Sequence, residues 1–283
     1  MTMNLKMYFV MLALGVSAWT LQSCDNDDDS IAVSETLTRS LADRHPDAER
    51  VEWETDKGYF VADFYEAGKE KSAWFTPEGL WQLTETEIPF NALPDAVQTA
   101  FNGSTYANWH VEDVDMVERP DVETIYVIEV EQGEQEVDLF YTADGVLVKE
   151  VANTGGNGQG GSDYLPSEVP AAIQSFIDER YPNARVVETD REQNGYEVDI
   201  IHDGRAKEVV FDLNGTWIYT SWDLSLNEVP EIVKNAAQAQ QPGYRLDDAD
   251  YVETPDKAYY LIEMESGERE VKVKVAEDGN ILA

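Results

Sequence analysis

Residues able to do acid–base, nucleophilic or metal chemistry are sparse in this chain, or too abundant to mark a site. The three histidines, His45, His110 and His202, lie far apart in sequence. No Gly-x-Ser-x-Gly elbow, His-Glu-x-x-His pair or Gly-x-x-x-x-Gly-Lys loop occurs, so the spacings that assemble a nucleophile, a zinc ion or a phosphate cradle are missing. With 57 acidic residues, no single pair of carboxylates stands out as an acid and a base. Asp25-Asn26-Asp27-Asp28-Asp29 begins like a calcium loop, but the sixth position is Ser30 where a glycine must turn the chain, and the twelfth is Thr36 where a bidentate Glu closes the shell. No catalytic residue, metal site or cofactor is therefore expected.

The one side chain with a defined chemical fate is Cys24, the only cysteine. It follows a basic residue, Lys6, an apolar run from Met7 to Trp19, and Leu21-Gln22-Ser23. That run is too short for a membrane span, which needs about 20 apolar residues, and fits a cleaved export signal. Leu21-Gln22-Ser23-Cys24 resembles a lipobox, with Gln22 departing from the usual small or β-branched residue. Cys24 is thus the expected lipid attachment site, residues 1–23 the signal peptide, and 24–32 an acidic tether. A lone thiol cannot form an intramolecular disulfide, and acylation accounts for its presence in an oxidising compartment.

The formal net charge of −37 repels phosphate. Nucleic-acid binding needs clustered Lys and Arg, and there are none, so nucleic acid is excluded as a partner and the lipid is the only expected membrane attachment. A hydrophobic fraction of 42% nonetheless supplies a core. Asn153–Asp163 holds five glycines in eleven residues and reads as a flexible spacer, its ends about 18 Å apart with no fixed orientation of the flanking domains.

The elements on either side of the spacer repeat. Tyr126 to Val137 matches Tyr260 to Val271, Val117-Glu118-Arg119-Pro120-Asp121 matches Val252-Glu253-Thr254-Pro255-Asp256, and Arg44-His45-Pro46 matches Arg180-Tyr181-Pro182. A weaker repeat divides each copy, giving units 33–88 and 89–152, then 164–226 and 227–283. Pro94, Pro170 and Pro230 each suit a first helical position, and the apolar residues three, six and seven further on share one helical face: Val97, Ala100, Phe101; Ile173, Phe176, Ile177; Val233, Ala236, Ala237. Ser34 caps the remaining helix, with Leu37 and Leu41 at i, i+4. Alternating segments such as Tyr59 to Phe64 and Tyr196 to Ile200 predict strands, joined by turns at Gly79, Gly145, Gly215 and Gly279. The expected fold is α+β: two tandem domains, each two helix-plus-four-stranded units forming an antiparallel sheet of about eight strands with helices on one face.

His45-Pro46-Asp47-Ala48-Glu49-Arg50-Val51-Glu52-Trp53-Glu54, Gly68-Lys69-Glu70, Ala73-Trp74-Phe75-Thr76-Pro77-Glu78-Gly79-Leu80-Trp81 and Leu93-Pro94-Asp95-Ala96-Val97 resemble the PepSY-like, β-lactamase-inhibitor-like family of exported bacterial proteins. The resemblance covers two copies from Ser34 onward. In the second, Trp53 becomes Thr189 and Trp74 becomes Val210. It implies helix-plus-sheet modules in the cell envelope, and shape alone does not carry an inhibitor function.

Matching Tyr59 and Val61 to Tyr196 and Val198 puts these on the helix-covered face. Phe60, Ala62 and Phe64 then fall on the opposite face, against Glu197, Asp199 and Ile201. Phe60, Phe64 and Trp74 are accordingly the candidate binding surface, unless a loop, another unit or the second domain covers them. The expected function is a non-enzymatic envelope lipoprotein that binds a protein or peptide through a sheet face. The alternatives are an inhibitor or regulator of an envelope hydrolase and a structural surface-display module. The acidic run after Cys24 resembles the signals that send lipoproteins to the surface of some Gram-negative bacteria, so outer membrane or cell surface is the expected location, with a periplasm-facing anchor as the alternative.

Overall fold

The computed structural model describes residues 31–153, 164, 165, 167–267 and 269–282. Cys24, nearly all of the acidic tether and most of the glycine-rich spacer lie outside the described residues.

Four short helices punctuate the chain: α1 (Glu35–Arg44), α2 (Asp95–Gly103), α3 (Ala171–Arg180) and α4 (Glu231–Gln240). Ser34 caps α1, its Oγ accepting the Leu37 N–H at 3.2 Å. Pro94, Pro170 and Pro230 stand in the cap position, with extended ψ of 142°, 140° and 141°, one residue earlier than the sequence suggests. Proline loses nothing there either, because that N–H has no partner within the helix. Each helix buries two residues four apart: Leu37 and Leu41, Val97 and Phe101, Ile173 and Ile177, Val233 and Ala237.

The strands β1 (Glu49–Asp56), β2 (Tyr59–Glu66), β3 (Lys69–Phe75), β4 (Trp81–Glu87), β5 (His110–Glu118), β6 (Ile125–Gln132), β7 (Gln135–Thr142) and β8 (Leu147–Asn153) form one antiparallel sheet in chain order. A second sheet contains β9 (Arg185–Glu192), β10 (Gly195–His202), β11 (Arg205–Asp212), β12 (Trp217–Asp223), β13 (Arg245–Glu253), β14 (Ala258–Ser266) and β15 (Arg269–Ala276), also in chain order. Among the described residues it has seven strands against the eight expected. Ile281 adds a single antiparallel bridge to Val275 where the eighth would run. The molecule is therefore α+β with two antiparallel-sheet domains, as the repeats imply.

Helices cover one face of each sheet. Leu37 and Leu41 meet Ala62, Phe64, Ala73 and Phe75, while Val97 and Phe101 meet Ile128, Val130 and Leu139. Ile173 and Ile177 meet Val198, Ile200, Val209 and Phe211, while Val233 and Ala237 meet Ile262, Met264 and Val273. The turn before the last strand of each unit presses against that unit's helix. At Gly145, with φ of 81°, an added Cβ would lie 2.6 Å from the Ala96 carbonyl oxygen of α2, so glycine is needed there for both conformation and contact.

The glycine-rich spacer suggests domains without a fixed orientation, and the structure shows them packed together. Val61, Trp74, Leu83, Val117, Val127 and Phe140 of the first sheet share one buried cluster with Tyr164, Val187 and Ile201 of the second domain.

Candidate functional site

The surface that alternation assigns to Phe60, Phe64 and Trp74 does not exist as one face. Phe64 is 2% exposed beneath α1 and Phe60 packs into the same cluster, so both belong to the core of the first unit. Trp74 lies on the opposite face, paired with Val61 and Leu83 in neighbouring strands, and is 5% exposed under the second domain. The two copies align with an offset of 136 residues, the spacing that relates Phe75 to Phe211. It equates Phe60 with Tyr196 and Val61 with Glu197. Matching Tyr59 to Tyr196 slips the register by one residue, and one residue exchanges the two faces of a strand. The contrast between copies persists in corrected form: the row Val61, Trp74, Leu83 in the first sheet is Glu197, Val210, Tyr219 in the second.

The apolar part of the helix-free face of the first sheet is consumed by the domain contact, which also contains one buried and two partly exposed cations. Arg119, 5% exposed, donates from Nη2 to the Val187 carbonyl at 2.6 Å and from Nη1 to the Tyr164 carbonyl at 3.4 Å. Lys149 of β8 pairs with Glu188 of β9 at 2.6 Å, and Arg185 bridges Glu123 at 2.5 Å and Asp144 at 2.8 Å. The Glu123 N–H donates to the Val186 carbonyl at 2.9 Å. The sequence carries one signal of this contact. Arg119 stands in an otherwise matching segment where the second copy has Thr254, so it serves something only the first copy needs.

Beyond that contact the first sheet keeps a small acidic groove at Ser72, Glu85, Asp113 and Asp115, and the helix-free face of the second sheet keeps a larger one. A groove of about 450 Å³ runs over β10 to β14 and is closed at one side by Val148 and Lys149 of β8. Its carboxylates are Glu197, Asp199, Glu208, Asp223 and Asp250, and its apolar walls include Tyr219, Tyr259 and Leu261. Cross-strand pairing sets their spacing. Asp199, Glu208 and Ser221 form one row, and Asp223 faces Asp250 in the next. The Tyr219 hydroxyl donates to Glu208 at 2.7 Å. Burial, reinforced by Glu208, pushes Glu197 up to about 7. Burial, reinforced by Glu188, holds Asp199 well above the usual carboxylate range despite Lys149 nearby. Asp250 is raised by burial and then by the adjacent Asp223. Carboxylates crowded in this way gain when positive charge approaches.

The histidine nearest a polar cluster is a packing residue. His45 follows α1 with its Nε2 3.2 Å from Thr84 Oγ1 and its Nδ1 3.1 Å from Glu66. In the second copy Tyr181 takes the same place, its hydroxyl donating to Thr220 at 2.7 Å. The frame around both is shared: Trp81 and Trp217 donate to those threonines at 2.9 and 3.0 Å, and Arg44 and Arg180 stack over the two indoles at 3.0 and 4.2 Å. Burial lowers the His45 pKa, so the ring is neutral at neutral pH. Elsewhere among the described residues, Glu112, Glu131 and Glu136 bring carboxylate oxygens within 4.8 Å of one another, an acidic trio that by itself defines no metal site.

Two consecutive antiparallel sheets, each with two helices on one face, define a tandem α+β architecture without a recognisable catalytic centre among the described residues. The chain belongs to the family described as "Putative beta-lactamase-inhibitor-like, PepSY-like", whose model matches residues 58–149, 162–204 and 200–283. Among solved structures, a BLIP-like protein from Bacteroides fragilis is 38% identical, with 48% of this chain and 97% of its own covered at a TM-score of 0.45. DUF2874 family proteins from Bacteroides ovatus and Bacteroides uniformis are 36% and 26% identical, each over 42% of this chain and over 86% and 89% of their own, both at a TM-score of 0.41. No curated protein matches the chain.

Proposed function

We propose that the protein is a non-enzymatic cell-envelope lipoprotein that binds a protein or peptide through the helix-free face of its second sheet. One observation carries this reading. On the helix-free side, the apolar row of the first sheet is buried between the domains, and the larger of the two carboxylate-lined grooves on that side lies open over β10 to β14 of the second. The export signal ending at Cys24 supports the envelope location and the lipid anchor. The repeats support two copies, at 33–152 and 164–283. The family description supports a second reading, in which the bound protein is an envelope hydrolase held in check.

A photo-crosslinking side chain placed at Ser221, in the groove, should give a discrete adduct in intact envelopes, and the same side chain at Thr38 on α1 should not. Equal labelling from both positions, or none from Ser221, rejects the face. The adduct's identity separates a hydrolase from other partners. For the anchor, a fatty-acid analogue should label the wild type and not Cys24→Ala; equal labelling rejects acylation at that residue.

A further inference from the structure

The groove has a property that the proposed function does not use: its charge is arranged in two separate centres. Glu197, Asp199 and Glu208 occupy neighbouring positions on β10 and β11, and Asp223 faces Asp250 across β12 and β13, with Ser221 between the two groups. The centres lie two strand spacings and one two-residue step apart, about 12 Å on the diagonal for strands about 4.8 Å apart with about 3.3 Å per residue. One metal ion cannot bridge that distance.

The local cations do not neutralise the first centre. Lys149 is engaged by Glu188 at 2.6 Å, and the Lys207 amine lies over the Trp222 ring at 3.9 Å. Among the described residues Asp199 makes no side-chain hydrogen bond and no ion pair. Its carboxyl group is desolvated by the protein around it, and what the residue leaves to solvent opens into the groove. A buried carboxylate without a donor is costly unless a cation reaches it.

We propose that the groove receives an extended peptide segment carrying two basic side chains four residues apart. This rests on the peptide-binding reading and names the chemistry of the partner. In an extended chain, residues i and i+4 are about 13 Å apart and point to the same side, which matches the separation of the two carboxylate centres. Tyr219 and Tyr259 offer rings over which the aliphatic stems or the cations themselves can lie. Ser221 faces the uncharged residue between the two cations.

The test uses the full chain and three fluorescein-labelled nine-residue serine–valine peptides, followed by anisotropy at low ionic strength. One carries two lysines four apart, the second two glutamines at those positions, the third two glutamates. The lysine peptide should bind at least tenfold more tightly than the glutamine peptide, and the glutamate peptide should not bind. Glu197→Gln combined with Asp199→Asn should weaken the lysine peptide at least tenfold, whereas Glu35→Gln with Asp43→Asn on α1 should change it less than twofold. The groove variant loses repelled charges, so its melting temperature should be unchanged or higher, which separates lost binding from lost folding.

Equal affinity for the lysine and glutamine peptides overturns the charge assignment and leaves peptide binding standing. Spermidine competing at the concentration of the lysine peptide overturns the peptide in favour of a small polycation. Failure of all three peptides to bind rejects both the assignment and the reading beneath it.

Discussion

Arg119 shows what a single buried charge does in this molecule. Its guanidinium reaches two carbonyls of the second copy and sits among Glu188, Asp190 and Asp199, whose charges offset part of its burial. Arg119→Ala strands those carbonyls and removes a counter-charge from an acidic interface. The expected loss is about 3 kcal/mol in urea denaturation. Glycines divide in the same way. Gly145→Ala meets the Ala96 carbonyl at 2.6 Å in addition to a φ of 81°, whereas at Gly204, with φ of 73°, an added Cβ has nothing within 4 Å. Strain alone costs about 1 kcal/mol or more at a left-handed position, so Gly204→Ala should fall near that value and Gly145→Ala well beyond it. Parallel thermal melts of the two variants would check the order.

At the scale of elements, β2 teaches most. Its burial does not alternate, because Val61 lies under the second domain and Ala62 and Phe64 under α1, so which covering each side chain meets depends on a register that only the partner strand fixes. Phe75 and Phe211, matched at an offset of 136, contained the correct register, and carrying that offset back to Phe60 would have placed it under the helix. The consequence is measurable. Phe64→Ala should cost about 3–5 kcal/mol as a core truncation, whereas Leu80→Ser, at a residue 64% exposed, should stay within about 0.5 kcal/mol. The helices were legible because proline and the i, i+4 pairs are local signals, and the role of His45 was legible because the other copy holds Tyr181 there. The groove was not legible. Its carboxylates come from four strands, and their meeting depends on pairings that no local pattern encodes. The contact between the domains was equally hidden, apart from the Arg119 and Thr254 mismatch, because a glycine-rich spacer describes its own composition and not the surfaces it connects.

For the molecule as a whole, the charge distribution sets the response to pH. Nine described carboxyl groups are raised, in each case first by burial: Glu54, Asp63, Asp115, Glu123, Glu129 to about 7, Asp190 to about 6, Glu197 to about 7, Asp199 and Asp250. A raised carboxyl holds its proton more tightly in the folded state, so between the ordinary carboxylate value and the folded one the native chain binds more protons than the unfolded chain. Stability is therefore fully present at low pH and is lost as pH rises through that window. His45, lowered by burial, works in the opposite direction as a single group. The melting temperature should be several degrees higher near pH 5 than near pH 8, and a higher value at pH 8 would mean that these groups are not desolvated as the fold implies. The contact between the copies has a second consequence, for the covalent continuity of the chain. Arg119, Lys149 and Arg185 join surfaces that the backbone also joins through residues 154–163. A protease site inserted in that stretch should yield two fragments that still elute as one particle and part only in denaturant, because the strand of peptide between them becomes mechanically redundant once the halves have met.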